Sequence, residues 1–327
     1  MNQLHVNTQS DGIWIATKLE KEIVKTLQEH ICQAGWVPLA VDSNLNFSFP
    51  WQYQRGNLNL HCRVVDSVYH PSTAPMTDAD TIFVTDSHAL QTVAGPVISV
   101  LPEFWHIWHF EPDYTDRVPV KAFNCFMNRC RGDRSQVFYE LCKRDILHEG
   151  FVSYNCSPKA LEDQYQAAEM QNNYRDQHQR ALELIPYNTV EGHGTLEQCI
   201  IDSRVSLILE TYTADSHIVF SEKLFRCLQM PRPWLLYCSP GSLQLLESFG
   251  FDILSDMVDI KYDKITNHGT RLQHILDQLE TFVNRHFSTV ELQRLHQAAL
   301  HNQQRLADLG LQWPEKFSQI MHEISSL

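Results

Sequence analysis

The sequence predicts an α/β protein with two domains and a helical C-terminal segment. Its 327 residues are about twice the length of a typical domain. In both halves, strand-like and helix-like patterns alternate, which is typical of a parallel sheet covered by helices. Beyond residue 270 the apolar residues recur at three- and four-residue steps, as in amphipathic helices. We therefore expect one domain over residues 1–118, a second over 119–285, and helices over 286–327 that pack back.

The first predicted domain opens with a strand, a helix and a second strand. These elements are expected at residues 12–16, 19–34 and 36–41, with Gly35 ending the helix. Further strands are predicted at residues 60–65, 81–85 and 96–101, between turns rich in Pro and Asp. The polar stretch over residues 112–119 contains two prolines and is the predicted linker.

The second predicted domain repeats this alternation. Strands are expected at residues 123–127, 151–154, 205–209 and 234–237, and helices at 135–147, 157–184 and 221–229. Parallel sheets of this kind bind ligands in the crevice at the carboxyl ends of their strands. Two such domains facing each other would leave a cleft between those edges.

Composition favours a globular protein. Hydrophobic content of 43% and charged content of 20% are near globular averages, and no apolar run is long enough to span a bilayer. With no charged-then-apolar leader either, we expect a soluble, cytoplasmic protein without membrane insertion. Nine scattered cysteines favour reduced core thiols over a disulfide framework. The net charge of −13 argues against broad attraction to nucleic acid, although it leaves room for a local basic cleft.

Residues 218–225 place an acid and a base side by side where a predicted helix follows a predicted strand. Ser221 is the expected N-cap of that helix, and a helix start offers free N–H groups to an anion. Glu222 can accept hydrogen bonds from two ribose hydroxyls while Lys223 neutralises a phosphate. Taken alone, the pair also fits a first-turn glutamate beside a solvated lysine, so both interpretations stay open.

Two stretches of the chain, about a fifth of its length, resemble the donor-binding half of the alpha-1,3-fucosyltransferase family. The first stretch is residues 206–242. The family pattern that it resembles is a strand, Glu-Asn, a short insert, Thr-Glu-Lys-Leu and a strand ending at Gly. The matching positions in this sequence are Glu210, Glu222, Lys223, Leu224 and Gly241. In residues 121–155, Arg134 stands where the family has an arginine for the donor phosphate. The departures from the pattern are Ser221 for Thr, Thr211 for Asn, and Ser153-Tyr-Asn155 for Ser-Gly-Gly.

The resemblance implies the GT-B architecture, in which two Rossmann-like domains face each other across a cleft. It also implies an inverting glycosyltransferase that uses no metal and no cofactor, with a nucleotide-sugar as co-substrate. Arg134 and Lys223 would then hold the diphosphate, Glu222 the ribose, and Glu210 the sugar or ribose edge.

Transfer to a hydroxyl also needs a carboxylate that removes the proton of the acceptor, and we expect it from the first domain. The acidic candidates at the ends of predicted strands are Glu103, Asp66 and Asp86. Glu103 is the first choice because neighbouring aromatic residues would desolvate it and raise its pKa. Helix capping at the start of a helix beginning at Ser87 is the commoner role for Asp86.

The acceptor is open between two classes. The sequence resembles those of phage enzymes that glycosylate modified bases in their own DNA, so one candidate acceptor is a 5-hydroxymethylcytosine base. The other candidate is a surface glycan. A basic cluster favours DNA if it lines one face; it comprises Arg129, Arg131, Arg134, Lys143 and Arg144. Arg129 and Arg131 would assist at the diphosphate, although a surface basic cluster explains each of them as well.

Two other functions fit the sequence. One is an inactive nucleotide-sugar or nucleic-acid binding protein that keeps the same fold and has lost its base. The other is a metal-dependent transferase in which Asp78 and Asp80 hold a divalent ion on the nucleotide-sugar. The same two acids also fit an ordinary solvated turn.

Overall fold

The computed structural model describes residues 118–127, 132–160, 183–190, 195–210 and 220–326, with short strands and single residues elsewhere. The chain divides into two compact units. One comprises Met1–Trp108, Ser216–Val219 and Leu306–Leu327, and the other comprises His109–Asp215 and Phe220–Arg305. Most of the predicted linker lies outside the described residues.

The described strands of the first unit form two small sheets. They are β1 (Gln3–His5), β2 (Val37–Val41), β3 (Pro50–Arg55), β4 (Leu58–His61), β5 (Val64–Val65), β6 (Thr81–Thr85) and β7 (Val97–Ser99). β1, β5 and β7 all pair in parallel with β6. β2, β3 and β4 form an antiparallel meander. The predicted strands at 81–85 and 96–101 are present, as β6 and β7.

One prediction for this unit is wrong. Residues 60–65 are not one strand, because β4 pairs antiparallel with β3 whereas β5 pairs in parallel with β6. The predicted strand at 36–41 is present as β2, and its antiparallel pairing with β3 was not predicted from the sequence. Gly35 itself has a φ of 86°, as expected of a glycine that ends a helix. The predicted strand at 12–16 lies outside the described residues, as does most of the helix at 19–34.

The second unit contains a five-stranded sheet within its described residues. Its strands are β8 (Lys121–Met127), β9 (Gly150–Tyr154), β10 (Tyr187–Asn188), β11 (Ser203–Leu209) and β12 (Trp234–Tyr237), in the order β10-β9-β8-β11-β12. β9, β8, β11 and β12 run parallel, while the two-residue β10 is antiparallel to β9. The sheet is therefore mixed, whereas the sequence predicted a parallel one.

Helices follow most of these strands. They are α1 (Gly132–Lys143), α2 (Leu196–Ile201), α3 (Glu222–Leu228), α4 (Ser242–Ser248), α5 (His268–Val283) and α6 (Thr289–Ser326). The helix predicted over 135–147 begins earlier, and its last part is a separate 3-10 turn at Leu147–Glu149. The helical ending is confirmed by α5 and α6, and most of the run at 157–184 lies outside the described residues. No helix in the described part of the chain is long and apolar enough to cross a bilayer.

The centre of the second sheet is a topological switch point. From β8 the chain moves through α1 to β9 on one side, and from β11 it moves through α3 to β12 on the other. Ligands of α/β sheets bind at the carboxyl ends of the two strands that flank such a point. Here those ends are Met127 and Leu209, so α1 and α3 both begin at this edge.

The two faces of the sheet follow from its register. Phe123 pairs with Val205, and Asn124 pairs with Ser206, so each pair shares a face. Phe123, Cys125 and Met127 are buried on one face. On the other face, the Nδ2 group of Asn124 donates to Ser206 Oγ at 2.8 Å. The polar pair thus lies under α2 and α3, where the candidate site is found.

Candidate functional site

α3 is held on the sheet by one apolar face. Its buried residues are Leu224, Phe225, Cys227 and Leu228, at the spacing of an amphipathic helix. Glu222, Lys223 and Arg226 therefore remain on its more open side. The helix begins at the carboxyl edge of the sheet, so its first two residues, Glu222 and Lys223, are placed beside the switch point.

Four polar residues form a connected cluster there. Glu210 follows β11, and its Oε1 atom accepts from Ser221 N at 2.9 Å and from Ser221 Oγ at 3.0 Å. Lys223 Nζ donates to Ser221 Oγ at 3.1 Å and lies 3.6 Å from Glu222 Oε1. Ser221 occupies the N-cap position as predicted, but its side chain makes no capping hydrogen bond. Its hydroxyl connects Glu210 with Lys223 instead.

Glu210 is the most deeply buried member of this cluster, with 2% of its surface exposed. Burial raises the pKa of its carboxyl; Lys223 and the two hydrogen bonds from Ser221 act in the opposite direction, and Glu222 adds to the rise. Among the described residues, Oε2 of Glu210 has no hydrogen-bond partner. The carboxyl is therefore turned towards Ser221 and away from solvent.

A cavity of about 30 Å³ adjoins the cluster, between α2, α3 and the face of the sheet that carries Asn124. Its wall is mainly apolar and includes Phe126, Ile200 and Cys227. Glu222 and Lys223 supply its charged groups together with Arg226, which forms an ion pair with Glu197 at 2.7 Å. The side chains of Lys223 and Glu222 are 19% and 14% exposed, so both can be reached from solvent.

Arg134 does not line this cavity. It is buried in the first turn of α1, and its charge acts on Cys125 and Tyr154. Burial raises the pKa of each of these two groups, and the pKa reaches about 12 although the charge of Arg134 acts to lower it. Cys125 belongs to the face of the sheet opposite Asn124. Within the described residues, the cavity that Lys223 lines does not include Arg134.

Seven other residues that the sequence indicated for the site lie outside the described part of the chain. Glu103, Asp66 and Asp86, the candidate bases, lie outside the described residues. The same holds for the basic residues Arg129 and Arg131 and for the alternative metal ligands Asp78 and Asp80. Their roles stay predictions.

A second polar network, which was not predicted from the sequence, lies around Arg271. Arg271 of α5 is 1% exposed, donates to the carbonyl oxygens of Thr213 and Ile265, and lies 5.7 Å from the ring centroid of Tyr237. Thr213 in turn donates to Asp133 at the start of α1. Thus Arg271 fastens the chain after β11 to α5. Arg271 lies four residues before Ile275, which is buried in the same helix. This spacing is the signal that would have placed Arg271 on the buried face of α5.

Among the residues that the structure describes, six cysteines have free thiols, as predicted, and one does not. The free ones are Cys32, Cys125, Cys142, Cys199, Cys227 and Cys238. Cys156, which follows β9, is disulfide-bonded. The expectation of reduced thiols is therefore wrong at this position.

Comparisons with protein-family models, curated proteins and solved structures found no match to this chain. A function for the site rests on its geometry and on the resemblance of residues 121–155 and 206–242 described above.

Proposed function

We propose that the protein is a glycosyltransferase that moves a sugar from a nucleotide-sugar donor to a hydroxyl acceptor. The reaction is inverting and metal-independent, and the two units have the GT-B architecture. The donor binds at the carboxyl edge of the sheet in the second unit, beside the start of α3.

One observation carries this proposal. Lys223 and Glu222 stand side by side at the carboxyl end of β11, next to the switch point, and both line a cavity. An ammonium and a carboxylate in this arrangement suit the two polar parts of a nucleotide: the cation suits the diphosphate, and the carboxylate accepts from ribose hydroxyls.

The chemistry requires the diphosphate to leave as its negative charge grows. The acceptor oxygen attacks the anomeric carbon of the sugar, its proton passes to a carboxylate base, and the diphosphate departs with the electrons of the broken bond. Lys223 stabilises that departing charge. The base is one of Glu103, Asp66 and Asp86, with Glu103 the first candidate.

Two residues of the basic cluster weaken the case for DNA as the acceptor, which leaves a surface glycan as the first candidate. The basic cluster that favours DNA would have to line one face, yet Arg134 is buried at the start of α1. Arg144, which directly follows the end of that helix, contacts Asp277 at 2.8 Å and Glu280 at 3.1 Å. Since these carboxylates already neutralise Arg144, little of its charge is left for a phosphate backbone.

The test is a thermal-shift screen against a panel of nucleotide-sugars, followed by a hydrolysis assay with each sugar that stabilises the protein. Specific donors stabilise the native state by mass action. A transferase should also release sugar slowly to water. Stabilisation without release would indicate the inactive binding protein, and activity abolished by a chelator would indicate the metal-dependent enzyme. No stabilisation by any nucleotide-sugar would refute donor binding.

A further inference from the structure

Lys223 has a long, flexible side chain, and a flexible ammonium is a poor electrostatic catalyst unless its position is held. The structure holds it at two points. Its Nζ atom donates to Ser221 Oγ at 3.1 Å and lies 3.6 Å from Glu222 Oε1. The shorter contact is with Ser221, so the hydroxyl of Ser221 is the main anchor.

The direction of the hydrogen bonds follows from the donor inventory. A lysine ammonium only donates, so Ser221 Oγ must accept from Lys223 and give its single proton to another group. That group is Glu210 Oε1, 3.0 Å away, which also accepts the backbone N–H of Ser221 at 2.9 Å. Glu210 thus fixes the rotation of the hydroxyl with its lone pairs towards Lys223.

The stability of α3 does not explain this arrangement. A serine at the N-cap ordinarily bonds the free N–H groups of the first turn, but the side chain of Ser221 makes no such bond. Burial of a carboxyl is also costly unless its oxygens are bonded, and Oε2 of Glu210 has no partner among the described residues. The hydrogen bonds that Ser221 and Glu210 do make connect them to Lys223 instead.

We propose that Glu210 and Ser221 are positioning residues, which hold the ammonium of Lys223 towards the donor diphosphate without touching the donor themselves. This inference rests on the proposed function. It replaces the expectation that Glu210 binds the sugar or ribose edge. Because the contact passes through Ser221, the effect of Ser221 on diphosphate binding must depend on Lys223.

The experiment measures binding of inorganic pyrophosphate by titration calorimetry without divalent ions. Ser221→Ala should weaken binding about fivefold, as expected for the loss of one hydrogen bond. Ser221→Thr keeps the hydroxyl and should bind like the native protein. Lys223→Ala should weaken binding tenfold or more, and adding Ser221→Ala to it should cause no further loss. Lys121→Ala, at the opposite end of β8, is the control for removal of one lysine charge.

A second measurement needs no ligand. Lys223 held by Ser221 should react slowly with acetic anhydride, and Ser221→Ala should raise its labelling several-fold in mass spectrometry. Glu210→Gln retains an accepting oxygen and should leave the labelling rate near that of the native protein, whereas Glu210→Ala should raise it.

The outcomes separate the two proposals. Weaker pyrophosphate binding in Lys223→Ala but native binding and labelling in Ser221→Ala would overturn the positioning role and leave the donor site standing. Equal additive losses from Ser221→Ala in the presence and absence of Lys223 would overturn it as well. Native pyrophosphate binding in Lys223→Ala would overturn the donor site, and with it the role that the positioning serves.

Discussion

Lys223→Ala is the sharpest perturbation of the proposed donor site. The native side chain is 19% exposed, and its ammonium already has two partners, Ser221 Oγ at 3.1 Å and Glu222 Oε1 at 3.6 Å. A diphosphate competes with these partners, so the net gain is well below the roughly 4 kcal/mol of two unit charges 4 Å apart near a protein surface. We take about 2 kcal/mol, within the range of a hydrogen bond to a charged group.

That energy corresponds to a loss of about thirtyfold in kcat/KM. Phosphate contacts strengthen as the leaving group gains charge, so kcat should fall and the donor KM should rise together. The assay is steady-state kinetics with the donor found in the thermal-shift screen, with Lys121→Ala as the charge-matched control. Unfolding in urea should change little, because a partly exposed ion pair contributes roughly 0–1 kcal/mol. Near-normal kinetics in Lys223→Ala would refute the assignment of Lys223 to the diphosphate.

Three further predictions concern the base, the buried carboxyl and the core. Glu103→Gln should leave nucleotide-sugar binding intact and abolish transfer; if the variant instead fails to fold, Glu103 is structural. Burial raises the pKa of Glu210 above its ordinary value of 4.5, so its contribution to stability is complete below that value and is lost as pH rises through the folded-state pKa. Urea unfolding of Glu210→Gln should therefore show a shallower decline in stability above pH 4.5 than the native protein, and parallel curves would contradict the raised pKa. Gly150→Ala would place a Cβ atom 2.5 Å from the ring of Phe123, with which Gly150 pairs across the strands. It should destabilise the second unit by roughly 1–3 kcal/mol in urea unfolding, whereas an unchanged midpoint would show that the ring can move aside.

Much of the second unit could be predicted from local pattern. The strand at residues 234–237 is present as Trp234–Tyr237, and the buried strand before Glu210 ends at Leu209 as expected. The start of α3 beside Glu222 and Lys223 was predicted as well, because an apolar face at helical spacing follows a serine. These features depend on residues a few positions apart, and the chemistry of those residues decides them.

Pairing between distant segments could not be predicted in the same way. β2 pairs with β3 antiparallel, and β10 adds an antiparallel edge to an otherwise parallel sheet. An alternation of apolar and polar residues indicates a strand, but it does not say which strand lies beside it or in which direction. The mixed character of the second sheet therefore appeared only in the structure.

The sequence by itself determined that an acid and a base open a helix at the carboxyl end of a buried strand. Only the tertiary structure decided that Glu210 turns to Ser221, eleven positions along the chain, and that Ser221 holds Lys223 instead of capping its helix. It also decided that the charge of Arg134 acts on Cys125 and that Arg134 does not line the cavity of Lys223. The physical reason is that helical and strand periodicity set which residues are buried, whereas the register between strands and the packing of helices on each face set which buried groups meet.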